Sequence, residues 1–376
     1  MVDVLILGGA RTPFTAWAFG RRGDGARGGA LAGEHPFDLG AAAVKGALER
    51  SGVDSQRVER IVFGNVYHTD THAWGGARYI GLRAGLPESA PALTVSMACC
   101  SGLQAVIEAA QDVRSGEARV AVGGGTDCAS RYGKDEMFDS FNDRSCGREI
   151  ADVVEAMARR RSIGREASDC WALESHRRFR KARDAGYFKE EIFPVGAVSE
   201  DDYFLPERRE GRVRRARPTF GEDGSVTSAN SHGLVDGASA VVLSTKEGVP
   251  KGRRPLGKIV SWAYSGVAPE EMGTALVPAL KTALVKAQLK IADINLFEIN
   301  ETFASQVLMD IRELGLKRDQ VNVNGGGIAI GHPFAGSGAR LVHSLLLELG
   351  RRGLKRGAAA ISAGGGQGAA VVVETA

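Results

Sequence analysis

Apolar positions along the chain recur in two alternating rhythms. "MVDVLILGGARTPF" (1–14) opens with a short apolar run that closes on glycines, the pattern of a first strand entering a turn. "ALERSGVDSQRVERIVFGNV" (47–66) reads as the end of an amphipathic helix, a polar turn and an apolar strand. "ALVKAQLKIADINLFEINET" (283–302) repeats that order at an offset of 236 residues. The same offset carries "SGLQAV" (101–106) onto "SGARLV" (337–342). Both copies then run through a helix and a glycine-containing turn into strands ending in glycines, "VAVGGG" (120–125) and "AAISAGGG" (358–366).

Alternating strand and helix signals predict an α/β chain with parallel, doubly covered sheets, and the repeat predicts two similar halves about a pseudo-twofold axis. Residues 131–232 break the pattern. They are charged, arginine-rich and poor in strand signal, with a largely helical stretch at 158–186 and a basic, Pro-punctuated loop at 207–220. "GLVDGASAVVLST" (233–245) resumes the α/β rhythm. The expected organisation is a first half of residues 1–130 plus 233–257, an inserted section 131–232, and a second half 258–376.

Composition narrows the function. At 376 residues and 43% hydrophobic the chain can bury a large core. Lys+Arg at 48 against Asp+Glu at 45 lacks the basic bias of a nucleic-acid binder. Five cysteines, Cys99, Cys100, Cys128, Cys146 and Cys170, give neither an even disulfide framework nor a zinc-type pair, so no metal is expected. The first apolar run has no basic segment before it and is too short to span a membrane, so a cytoplasmic protein without membrane partners is expected. "GGARTPF" and "GGGTDCAS" lack the G-x-G-x-x-G context of a dinucleotide site.

The candidate chemistry lies in "SMACCSGLQAV" (96–106), where two adjacent cysteines precede a helix start. Either could be a buried small hydrophobe. The repeat adds a partner, because His332 precedes the corresponding helix of the second half as Cys99 does in the first. A helix N-terminus favours a thiolate, and converging helix starts would place a cysteine beside a histidine, the arrangement of an activated nucleophile.

Over nearly its whole length the chain resembles the thiolase family, the acetyl-CoA acetyltransferases and 3-ketoacyl-CoA thiolases. Six segments carry the resemblance in order: "GGARTPF" (8–14), "CCSGLQAV" (99–106), "RPTFGEDGSVTSANSHGLVDGASA" (217–240), "EMGTALVPA" (271–279), "NETFASQ" (300–306) and "NVNGGGIAIGHPFAGSGAR" (322–340). The resemblance implies a five-layered α-β-α-β-α thiolase fold with a loop domain over a coenzyme A groove. It implies ping-pong acyl transfer with acyl-CoA and CoA as substrates, no tightly bound cofactor, and a homodimer or homotetramer. By register Cys99 takes the nucleophile position and Cys100 the small-residue position after it. His332 would activate Cys99 and, with Asn300 through a water, stabilise an enolate or oxyanion. Backbone N–H groups of Cys99 and Gly364 would form a second oxyanion hole. Phe220, Ser228, His232, Gly233, Met272 and Phe303 fall at substrate- and CoA-binding positions, and the arginines of 208–217 suit the phosphates of CoA.

The chain also departs from the family. Thiolases carry a second catalytic cysteine in C-x-G-G-G-x-G, and here "SAGGGQG" (362–368) puts Ser362 in its place. A serine hydroxyl is too weak an acid to exchange protons as a thiol does at neutral pH. Another group does the proton work, or the reaction needs no such base, or position 362 carries a substitution. His232 stands where the family has a small serine, "SCG" (145–147) where many members have H-M-G, and Phe334 and Ala335 precede Gly336 after Pro333. The expected activity is making or cleaving 3-ketoacyl-CoA through acyl-Cys99. The alternatives are an acyltransferase of this fold that abstracts no α-proton, working by decarboxylation or on a non-CoA acceptor, and a weakly active acyl-CoA-binding partner protein.

Overall fold

The computed structural model describes residues 2–18, 29–69, 71–203 and 210–376. Its principal elements in the first half are β1 (Val4–Arg11), α1 (Pro36–Ser51), β2 (Arg60–Gly64), α2 (Gly76–Arg83), β3 (Ala92–Val95), α3 (Ser101–Ser115) and β4 (Val120–Cys128). The charged section holds α4 (Ile150–Arg160) and α5 (Arg165–Asp184). Then follow β5 (Val235–Ser244), β6 (Gly257–Gly266), α6 (Leu276–Lys286), β7 (Leu296–Ile299), α7 (Ala304–Leu314), α8 (Ser337–Arg352), β8 (Arg356–Ala363) and β9 (Gln367–Thr375).

The strands join in the order β7-β8-β9-β6-β1-β5-β4-β2-β3, with Thr15–Ala16 pairing off this path to β5. Only β2–β3, β2–β4 and β7–β8 are parallel. The remaining ladders of this path are antiparallel, which corrects the expectation of parallel sheets. The reason lies in the connections. β8 and β9 form a hairpin through Gly364–Gly366, two of whose residues have φ of 78° and 72°. β5 arrives from the long inserted section rather than from a short helical crossover, so it is free to run antiparallel to both β4 and β1.

Period-2 alternation sorts side chains into layers. On β4, Val120 and Val122 join the cluster built on α1 and α2, whereas Ala121 faces the cluster containing α3 and α8. On β9, Val371 and Val373 face that same middle layer, and Ala370 and Val372 face the cluster of α6 and α7. Helices α3 and α8 therefore lie between the two halves of the sheet, and the stack is α-β-α-β-α. Both middle helices are covered on two sides, and Leu103, Val106, Leu341 and Val342 are fully buried.

The middle helices meet through glycine. A Cβ on Gly102 would lie 1.9 Å from the Ala335 carbonyl oxygen, and one on Gly338 would lie 2.0 Å from the Leu103 nitrogen. Such distances forbid any side chain, so the two helix starts touch backbone to backbone. The inserted section is bolted to the body by buried charge: Arg11 donates to both oxygens of Asp201 at 2.6 and 2.8 Å and to Glu191 at 3.0 Å. Of the basic stretch 207–220, residues 207–209 lie outside the described residues, and Gly211–Arg214 forms a turn of helix rather than loop.

Candidate active site

Cys99 sits on the turn between β3 and α3. Its neighbour Ala98 has φ 46°, a left-handed conformation that a residue with a side chain rarely adopts. The turn is held by Ser101, whose hydroxyl donates to the Ala98 carbonyl at 2.6 Å and accepts the Met97 N–H at 2.7 Å. Cys99 is half-buried and packs against the cluster of Trp17, Tyr67, Met137 and Phe334. Cys100 points into the core, its thiol donating to the Ile361 carbonyl at 3.5 Å. The two adjacent cysteines therefore occupy different environments, and only Cys99 faces the site.

His332 comes from the turn before α8 and is fully buried. Its backbone N–H donates to the Gly233 carbonyl at 3.0 Å, and its Nδ1 bonds the Ser337 hydroxyl at 2.6 Å. Its Nε2 has no partner among the described residues. Asn300, at the end of β7, donates its backbone N–H to the Ala360 carbonyl and its Nδ2 to Thr302 at 3.3 Å. The Asn300 Oδ1 is likewise buried and without a partner among the described residues. A buried polar atom left unpaired is costly, so two of them in one site mark places built for something else to bind.

The segment Asn230–Leu234 threads between these two. His232 N–H donates to the Thr302 carbonyl at 3.0 Å, Ser231 bridges to Phe303, and Leu234 bridges to His332. The His232 ring stands edge-on to the His332 ring, centroids 4.9 Å apart. Phe334, at φ 40°, packs against the His332 ring at 5.4 Å and the Tyr67 ring at 4.5 Å.

Burial governs the protonation states. It pushes the Cys99 thiol up to about 12, with the charge of Asp127 adding to the effect. The helix N-terminus was expected to favour a thiolate. Against it act the partial burial of the thiol and the charge of the Asp127 carboxylate. Burial pushes His332 well below the ordinary imidazole range, helped by His232 and Arg340, and pushes His232 down to about 4. The resting pair is thus a neutral thiol and a neutral imidazole able to accept its proton.

A cavity of about 180 Å³ opens at His232, lined among others by Trp17, Phe138, Phe141, Ser228 and Phe303. Of the expected binding residues, Ser228, His232 and Phe303 line it. Gly233 lies beneath it, packed against Tyr203 and offering its carbonyl to both histidines. Phe220 is half-buried against the apolar cluster under the inserted section, and Met272 is a buried member of that cluster rather than a cavity wall. Ser362 is buried, and its hydroxyl accepts the Leu276 N–H at 2.9 Å. Gly364 opens the glycine turn after β8, where Gly365 donates to Asp143 at 2.7 Å. Arg212, Arg214, Arg215 and Arg217 are exposed.

Asp127 escapes motif reading. Its Oδ1 accepts Asn65 Nδ2 at 2.8 Å and the N–H groups of Val66 and Tyr67 at 3.0 and 2.8 Å, and its Oδ2 accepts the Ala335 N–H. Glu301, beside Asn300, accepts from Trp171 Nε1 at 3.0 Å, Ser175 at 2.7 Å and Asn322 at 2.9 Å, fixing the Asn300 turn to α5. The aromatic wall of Trp17, Phe138 and Phe141 has no sequence signal, because its members are scattered singly through the first 141 positions.

Comparison with known proteins agrees with this geometry. The family model "Thiolase, N-terminal domain" matches residues 4–247 and "Thiolase, C-terminal domain" matches residues 253–375. The chain belongs to the thiolase family, and it is a CoA-dependent acyltransferase. It is 36% identical over 399 residues to the mitochondrial 3-ketoacyl-CoA thiolase of Homo sapiens, covering 99% of this chain and 98% of that one. It is 37% identical over 398 residues to the acetyl-CoA acetyltransferase of Rhizobium meliloti (strain 1021), with 99% and 98% covered. The crystal structure of the human mitochondrial 3-ketoacyl-CoA thiolase in complex with CoA superposes with a TM-score of 0.93 at 35% identity, covering 100% of this chain and 98% of that one.

Proposed function

We propose that this enzyme makes or cleaves 3-ketoacyl-CoA with a short acyl group, through an acyl intermediate on Cys99. The observation that carries the reading is the pair of buried atoms without a partner among the described residues, His332 Nε2 and Asn300 Oδ1, together with Phe334, which packs on both the His332 ring and Cys99. His332 Nε2 takes the thiol proton as sulfur attacks the thioester carbonyl. CoA then departs, leaving the acyl group on sulfur. Once protonated, Nε2–H is a donor toward a thioester or enolate oxygen, and Asn300 Oδ1 orients a water that donates to the same oxygen. Ser337 suits both states, since Nδ1 carries a hydrogen in the neutral base and in the imidazolium alike, and the Ser337 hydroxyl can accept it. The N–H groups of Cys99 and Gly364 would hold the oxygen of the acyl-Cys99 tetrahedral intermediate.

The short acyl group is supported by the rings of Tyr67, Phe334 and Tyr132 packed beside Cys99. A homodimer or homotetramer is supported by the sheet edge at β3, where Leu93 is exposed near the exposed Trp74 and Leu82. A cytoplasmic setting suits five cysteines, each free in this structure.

The test is to incubate the protein with acetyl-CoA and with acetoacetyl-CoA, seek an acyl adduct on the Cys99 peptide by mass spectrometry, and measure thiolysis and condensation. The adduct and turnover are expected, and both are lost in Cys99→Ala. Absence of any adduct on Cys99 would sink the reading. Light scattering tests the oligomer, for which a monomeric mass is the contrary result.

A further inference from the structure

Carbon–carbon chemistry at a thioester needs two proton transfers of different kinds. One moves the proton of the nucleophilic thiol, and His332 serves that one. The other moves a proton on or off the carbon next to the thioester carbonyl, a far weaker acid, and it needs a base placed beside the oxygen that takes up the enolate charge. Ser362 does not supply it, because its buried hydroxyl accepts the Leu276 N–H and, among the described residues, no hydrogen bond ties it to a base that could take its proton.

We propose that His232 is this second acid–base group, with Nε2 as the atom that takes and returns the α-carbon proton. The inference rests on the 3-ketoacyl-CoA reading above and names its missing proton carrier. Three observations carry it. The His232 ring is 4.9 Å from the His332 ring and edge-on to it, close enough to reach the carbon of a thioester whose oxygen sits on His332 Nε2. His232 also lines the cavity, with the His332 ring directly behind it. Its tautomer is dictated, because Nδ1 lies 3.3 Å from the Gly233 carbonyl, which can only accept. Nδ1 therefore holds the hydrogen, and Nε2 presents a lone pair. Burial keeps the ring neutral near pH 7, the form a base requires. The backbone on either side is pinned to Phe303 and His332, so the ring is held in place.

The step balances. In condensation, Nε2 takes a proton from the methyl carbon of acetyl-CoA, and the C–H electron pair becomes the enolate. The enolate carbon attacks the acyl carbonyl on Cys99, and the carbon–sulfur bond breaks toward sulfur. His332 returns to the departing Cys99 thiolate the proton it took during acylation, and His232 gives up its proton through solvent to the CoA thiolate released in that first step, so the enzyme ends as it began. Thiolysis runs the same steps backwards, with protonated His232 delivering its proton to the enolate carbon.

The experiment separates acylation from carbon chemistry. His232→Gln and His232→Asn are compared with wild type for acetylation of Cys99 by acetyl-CoA, for deuterium uptake at C2 of acetyl-CoA in D2O, and for acetoacetyl-CoA thiolysis. Acetylation is expected to stay within about threefold while deuterium uptake and thiolysis fall by about 10²–10⁴. Carbethoxylation of His232 in the wild-type protein, mapped by peptide mass, is expected to give the same split and does not depend on the variants folding. Retained deuterium uptake after either treatment overturns the inference. So does an equal fall in acetylation, which would make His232 a shaping residue, or a loss of uptake in Glu149→Gln alone, Glu149 being the other titratable side chain on the cavity wall. Wild type inert toward both thioesters would bring down the activity reading and this inference with it, whereas wild-type turnover matched by His232→Gln brings down the inference only.

Discussion

The Asp127 carboxylate accepts the Ala335 N–H at 2.8 Å, so the end of β4 is tied to the turn that carries His332. The same carboxylate holds the loop after β2 through three more donors and raises the thiol of Cys99 by its charge. Asp127→Asn replaces one acceptor oxygen with a donor that must face an N–H. A loss of about 1–3 kcal/mol of stability is expected, read from a denaturant midpoint. Removing the negative charge also makes Cys99 more acidic, so its alkylation curve should move to lower pH.

For the wild-type enzyme, a thiol held near 12 has almost no thiolate at neutral pH. Alkylation of Cys99 by iodoacetamide should rise about tenfold per pH unit from pH 7 to 9, because only the thiolate reacts. A plateau in that range would mean a thiolate–imidazolium pair in the resting enzyme and would contradict the burial argument.

Among the described residues Ser337 is the hydrogen-bond partner of the His332 ring, at 2.6 Å from Nδ1. Ser337→Ala leaves a buried ring nitrogen unpaired and frees the imidazole to turn. A fall in kcat of about 10–100-fold is expected with KM little changed, the kinetic trace of about one lost hydrogen bond to a positioning group.

Phe334 fills the space where His332, Tyr67 and Phe141 converge. Phe334→Ala should open that space and shift kcat/KM toward longer acyl chains, by about 10-fold for each favoured pair of methylenes. Unchanged chain-length preference across C4 to C8 3-ketoacyl-CoA would show that the acyl group does not go there.

Much of this was legible because the chain repeats itself. The offset of 236 located both helix starts, and register separated Cys99 from Cys100; in the structure Cys100 faces the core and Cys99 the site. Strand direction was not legible. A strand facing cover on both sides has the same apolar run in either direction, and only the hairpin at Gly364–Gly366 and the long return to β5 decide it. Asp127 was hidden for another reason. Three of its four partners are backbone N–H groups of Val66, Tyr67 and Ala335, which leave no mark on residue type. Met272 was misplaced because an apolar residue near a groove and one under it look alike in sequence.

The backbone contact at Gly102 and Gly338 joins the two halves next to the residues that carry the chemistry. Cys99 belongs to one half of the molecule and His332 to the other, and the meeting of these helix starts, together with the Asp127–Ala335 tie, brings the turns that carry them together. A side chain at either glycine would therefore part the two helix starts and, with them, the turns that carry thiol and base, without touching a reacting atom.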